Sequence, residues 1–173
     1  MIPLRDANPT RSFPIVTVSL IAVNVLVFLF QALGTANPQA FVMTYGAIPR
    51  AVLGGGDGGY AVGPWPPLTI LTSMFLHGGL LHLGGNMLYL WIFGDNLEDR
   101  MGKIRFIVFY LICGAAAAGS HILTAPSSPV PMVGASGAIS GVLGGYVLLF
   151  PRAKVMTLFF WGWFTRIVPL PAV

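Results

Sequence analysis

The chain has 173 residues, of which 55% are hydrophobic and 8% charged, with a net charge of +4 and a mean hydropathy of +0.81. A water-soluble globule carries about 25% charged residues, so a soluble enzyme is excluded. An aromatic content of 12% and a single cysteine, Cys113, also exclude a disordered chain and a disulfide-stapled secreted module.

A membrane-spanning helix needs roughly 20 apolar residues, so this length allows four or five spans in one bundle. Long uncharged runs place four spans at residues 15–33, 74–94, 106–123 and 133–150. An incomplete fifth follows at 155–173, interrupted by Arg166. The expected fold class is all-α, a polytopic membrane helix bundle forming a single domain over residues 1–173. The first run follows Arg5 and Arg11 but is longer than the roughly 7–15 residues of a signal-peptide core, which makes it a retained anchor.

Between the first two spans, residues 34–66 include GGGDGG at 54–59 and the start of PWPP at 64–67, both turn-forming. A connection of that length is either functional or loose. Its Phe41, Tyr45, Tyr60 and Trp65 suit the outer membrane interface. Seven of the nine basic residues lie in three places: Arg5 and Arg11 before the first span, Arg100, Lys103 and Arg105 after the second, and Arg152 and Lys154 after the fourth. Lys and Arg mark the cytoplasmic side, so the N-terminus is expected inside and the 54–59 loop outside. The positive charge is thus a topology signal, and no basic stripe interleaved with aromatics invites nucleic acid.

Polar residues within spans mark helix contacts or sites. The second span contains His77, His82 and Asn86, and the last two, four apart, share a helix face. Interhelical hydrogen bonding and a functional site account for them about equally well. The fourth span opens with GASG at 134–137, and Gly137, Gly141 and Gly145 recur every fourth residue, the small-residue spacing that brings two helices close. Taken alone, Ser136 reads as a helix N-cap after the proline-rich APSSPVP. Both spans enter from the outer face, however, so Ser136, His82 and Asn86 can share a depth if the uncharged connection before the fourth span dips into the membrane. One hydroxyl, one imidazole and one carboxamide in a common pocket suit acyl transfer.

In combination, His77-x4-His82-x3-Asn86, GDNLEDRMG at 94–102 and GASG with its glycine-spaced continuation resemble the rhomboid intramembrane serine proteases. The resemblance extends over essentially the whole chain. It implies that Ser136 is the nucleophile and that His82 and Asn86 form an oxyanion hole with the Ser136 amide. Gly134 and Gly137 would then line the site, with His77 as a structural neighbour. Glu98 and Arg100 match the family's ExR motif, which ties the cytoplasmic end of the second span to its surroundings. Implied partners are transmembrane protein substrates and the lipid bilayer, with no metal and no cofactor. The implied location is a bacterial plasma (inner) membrane with the N-terminus cytoplasmic.

Two departures stand against this match. The family's general base is a histidine on a sixth span, in a motif like AHxxG, and no residue of this chain corresponds to it. His121, toward the outer end of the third span, is not expected to replace it. Ser140 stands where some relatives carry an aromatic residue against which the base packs. The chain ends at PLPAV within an apolar stretch, and is expected to be an N-terminal portion that is inactive alone. The competing readings are a rhomboid-like pseudoprotease that binds transmembrane segments without cutting them, and a transporter or channel subunit. The transporter is disfavoured because Asp95, Glu98 and Asp99 cluster at a span end rather than inside a span.

Overall fold

The structure is a computed structural model and describes residues 1–55, 65–161 and 164–171; the expected outer loop at 54–59 lies outside the described residues beyond Gly55. Helix α1 (Ile15–Leu29) continues through a π turn at Phe30–Gly34. Three short helices follow, α2 (Pro38–Tyr45), α3 (Pro49–Val52) and α4 (Thr69–Ser73). The long helices α5 (Leu80–Met101) and α6 (Lys103–Thr124) precede α7 (Ser136–Leu149).

Helix α1 has no capping side chain of its own. Glu98, near the end of α5, supplies one: its carboxylate accepts the Val16 amide at 3.0 Å, the Thr17 amide at 2.8 Å and the Thr17 hydroxyl at 2.9 Å. A carboxylate placed there satisfies amides that the helix itself leaves unpaired and meets the positive end of the helix dipole. The chain reverses from α5 into α6 through Gly102 alone, at φ +82°, where a side chain would be strained. Helices α6 and α7 then pack through their small residues. A Cβ built on Gly137 would lie 2.5 Å from that of Ala117, and Cys113 blocks the same space at Gly141. Around this seam Leu90, Leu97, Phe106, Tyr110, Val142 and Tyr146 form the buried core.

The span boundaries differ from those the hydropathy implies. Among the described residues, two helices are long and apolar enough to cross a membrane, Ile15–Gly34 and Lys103–Thr124. Helix α5 starts six residues later than the expected second span, because residues 74–79 form turns. It ends seven residues later, beyond the charged stretch, where Gly102 caps it and its amide donates to the Glu98 carbonyl. Helix α7 has 14 residues, about 21 Å of helix, short of a hydrocarbon core of about 30 Å.

The all-α expectation and the incomplete fifth span at 155–173 are both corrected by a three-stranded antiparallel sheet. Strands β1 (Ile2–Asp6), β2 (Lys154–Trp161) and β3 (Phe164–Pro171) lie in that order, with Pro3 opposite Thr157 and Leu158 opposite Ile167. Val155, Thr157, Phe159, Phe160, Thr165, Ile167 and Val168 favour strands. Pro169 and Pro171 cannot continue a helix, yet an edge strand such as β3 tolerates them. On β2, Val155 and Thr157 are buried while Met156 and Leu158 are only partly covered. Because both faces carry apolar side chains, the period of two is hidden inside a hydrophobic run.

The sheet joins the bundle through polar contacts. The Asp6 carboxylate accepts the Tyr146 hydroxyl at 2.8 Å and the Asn96 amide at 2.9 Å, and Asn8 donates to Tyr146 at 2.9 Å. Nearby, Asp99 accepts the Arg11 amide and both the amide and hydroxyl of Ser12. These bonds gather the N-terminal segment, the end of α5 and the segment after α7 at one end, so the three basic stretches meet there. Burial raises the Asp6 carboxyl above its ordinary value of 3.8, against the pull of its hydrogen bonds.

Candidate active site

His77 precedes α5 in the turn segment after α4 and is fully buried. Its carbonyl accepts the Gln31 side-chain amide at 2.8 Å. Asn86 Nδ2 lies 3.0 Å from His77 Nε2, so the amide donates and the imidazole accepts. The His82 ring meets that of His77 edge-on, with centroids 5.1 Å apart. Because α5 places His82 and Asn86 one turn apart, both face the segment that leads into α7.

That segment is fixed on two sides. The Gly134 amide donates to the Ser73 carbonyl at 2.8 Å. Farther back, Ala47 and Met132 exchange two backbone hydrogen bonds of 3.1 and 2.8 Å, and the Arg50 amide donates to the Ser128 carbonyl. The first connection therefore braces the approach to α7, a role that its turn-rich sequence did not reveal. Gly134 has φ +117°, and a Cβ on it would lie 2.8 Å from both Cε1 and Nε2 of His82 and 3.7 Å from Asn86 Nδ2. Glycine is thus required there by conformation and by space.

Two residues farther on, Ser136 is the first residue of α7 and is exposed. The N-cap reading of Ser136 is corrected: Ala135 holds that position, and no side chain caps the helix. The first intrahelical bond runs from the Ile139 amide to the Ala135 carbonyl, which leaves the amides of Ser136, Gly137 and Ala138 ahead of it. A cavity of about 120 Å³ adjoins Ser136, lined among others by Ser73, Met74, Ala117, Gly134 and Gly137. It is large enough to hold water.

The remaining expected residues lie elsewhere. Gly137 packs on Ala117 in the α6–α7 seam. Glu98 caps α1 at the opposite end of α5. Arg100 is exposed at the rim of a cavity of about 450 Å³ that it shares with Arg11 and Asp99. His121 is exposed in the last turn of α6, where its carbonyl accepts from Thr124 and Ala125. None of the three histidines is hydrogen-bonded to Ser136 among the described residues. No cluster of three or more His, Cys, Asp or Glu that could hold a metal ion occurs among the described residues.

A bundle with one buried histidine, His77, a second at the start of α5 and an exposed serine opening a glycine-seamed helix defines a class that comparison with known proteins identifies. The Rhomboid domain family model matches residues 64–173. The chain is 39% identical over 99 residues to Rhomboid protein 1, mitochondrial, of Saccharomyces cerevisiae, covering 54% of this chain and 28% of that protein. It is 35% identical over 143 residues to Rhomboid protease GluP of Bacillus subtilis, covering 80% of this chain and 26% of that protein. To RHOMBOID-like protein 6, mitochondrial, of Arabidopsis thaliana it is 43% identical over 76 residues, covering 43% and 24%. The chain therefore spans about a quarter of the length of these relatives. It belongs to the rhomboid family, whose members are integral membrane proteins, and its two long apolar helices fit that setting.

Proposed function

We propose that this chain carries the nucleophile and oxyanion-stabilising half of an intramembrane serine endopeptidase acting on membrane-anchored protein substrates. The observation that carries the reading is the seat of Gly134: its missing side chain lets His82 and Asn86 reach the backbone two residues before Ser136. In this reading the Ser136 oxygen attacks the scissile carbonyl and forms a C–O bond. The charge that develops on the carbonyl oxygen is met by His82, Asn86 and the Ser136 amide. Collapse of the intermediate breaks the C–N bond, and water then hydrolyses the acyl-enzyme.

The hydroxyl proton needs a base that passes it to the leaving amine. His77 is engaged by Asn86, His82 packs on Gly134, and His121 lies exposed at the end of α6. The resemblance to the rhomboid proteases implies that the base is a histidine in a motif like AHxxG, to which none of these three corresponds. In the same reading the N-terminal end of the bundle, where the basic stretches meet, faces the cytoplasm, and Ser136 acts toward the outer leaflet.

The second reading is a pseudoprotease that binds transmembrane segments without cutting them, favoured in that no histidine among the described residues is hydrogen-bonded to Ser136. The two are separated by reconstituting the complete protein in lipid with a single-span substrate and a serine-reactive fluorophosphonate probe. Proteolysis predicts Ser136-dependent cleavage and labelling by the complete protein, and little of either by residues 1–173 alone. Substrate binding with neither cleavage nor labelling would favour the pseudoprotease.

A further inference from the structure

The proposed oxyanion groups are held by a residue of the first helix that belongs to none of the motifs. Gln31 lies in the π turn that ends α1 and is 6% exposed. Its Nε2 donates to the His77 carbonyl at 2.8 Å. That carbonyl sits in the turn segment between α4 and α5, just before Gly78 and Gly79, where no helix fixes the backbone. A buried carbonyl in such a segment needs a donor, and the donor it takes selects the orientation of the peptide. The contact also fixes the orientation of the glutamine, since a carbonyl accepts only from the amide nitrogen.

From His77 the contacts run directly to the proposed site. Its Nε2 receives Asn86 at 3.0 Å, its ring meets His82 edge-on, and His82 and Asn86 lie against Gly134. Resting on the proteolytic reading, we propose that Gln31 is a positioning residue for oxyanion stabilisation. It fixes the His77 backbone so that the His77 ring holds Asn86, and with it His82, beside the N-terminus of α7. Gln31 touches no reacting atom. Its effect passes through His77 and Asn86, which a purely structural role would not require.

The test uses Gln31→Met, which keeps the length of the side chain and removes the donor, in the complete reconstituted protein. A misplacement of about 1 Å near a reacting centre costs up to about a hundredfold in rate. The expected result is a kcat about ten- to hundredfold lower, with KM within about twofold of wild type. In an Asn86→Ala background the same change is expected to cost clearly less than in the wild type, because the hydrogen-bonded one of the two groups it positions is gone. An unchanged kcat, or an equal loss in both backgrounds, would overturn the proposal. Should Gln31→Met fail to fold, Gln31→Asn draws the amide back by about 1.5 Å, and carries the same expectation. A readout that does not depend on cleavage keeps the two readings apart. In nitrogen-15 NMR, Gln31→Met should shift the His77 ring nitrogens and the Asn86 side-chain amide. If these signals stay in place, the positioning role fails even where cleavage is seen; if they move in a protein that never cuts, the proteolytic reading fails instead.

Discussion

The two ends of α5 handle polar groups in opposite ways. At its C-terminal end three carboxylates take donors from other elements: Glu98 takes three from α1, Asp99 takes three from Arg11 and Ser12, and Asp6 takes Tyr146 and Asn96. At the N-terminal end Asn86 donates to His77 Nε2 while His77 Nδ1 is buried without a partner among the described residues, and the Ser136 hydroxyl is exposed beside helix-start amides and a small cavity. Closed polar networks specify how elements dock. Open ones, with donors already in place, are suited to meet a charge that appears only during reaction. The comparison shows architecture at Glu98 and, in the proposed proteolytic reading, leaves the chemistry to Ser136, although both lie in polar motifs set in an apolar chain.

If that division holds, substitutions at the two ends will separate into losses of rate and losses of stability. Apart from loss of Ser136 itself, the largest change is expected from His82→Ala and Asn86→Ala. Each removes one stabilising group and should lower kcat by about 10²–10³, a barrier increase of roughly 2.7–4 kcal/mol or less. The thermal midpoint in detergent should hardly move for His82→Ala, whereas Asn86→Ala also strips the buried His77 Nε2 of its donor and should lower it, though by less than the change at Glu98. Glu98→Ala should do the reverse. It leaves the Val16 and Thr17 donors at a buried helix start without partners, and a loss of about 3 kcal/mol in unfolding free energy is expected from denaturant titration. The folded fraction of that variant should keep the wild-type kcat.

The smallest expected effect sharpens the comparison through pH. Burial raises the Asp6 carboxyl above 3.8, so the folded chain holds this proton more tightly than the unfolded one. Stability therefore falls as pH rises from 3.8 through the raised folded value, and is flat above it. Asp6→Asn keeps an acceptor for Tyr146 and removes the charge. It should flatten this segment of the stability curve and alter stability at neutral pH by less than about 1 kcal/mol. Thermal scans of both proteins between about pH 4 and 7 measure the difference. A steeper curve in the variant would contradict the assignment.

How much of this was legible beforehand depends on which physical signal each element carries. Hydropathy located α1, α6 and the body of α5, because a bilayer demands long apolar helices. It failed at residues 155–173, where two apolar strand faces imitate a span and the two prolines, Pro169 and Pro171, were the signal against a helix. It also set α7 too long, because an uncharged segment can lie at membrane depth without being helical when tertiary hydrogen bonds hold it, as Gly134 is held by Ser73. The grouping of His77, His82 and Asn86 followed from helical spacing and from motif. Gln31 and Ser73 were invisible for a different reason: their contacts span 46 and 61 positions of sequence, and neither belongs to a local pattern. Glu98 was legible as part of a motif, whereas its partner, the start of α1, emerged only from the fold.

The central claim is that Ser136 performs the chemistry which the open end of the bundle is arranged to support. The most direct measurement is cleavage of a single-span membrane substrate by the complete protein in proteoliposomes, compared with Ser136→Ala at matched folded content. The account predicts cut substrate with the wild type and a fall of several orders of magnitude, to background, with the variant. Cleavage that continues at a similar rate in Ser136→Ala would contradict it.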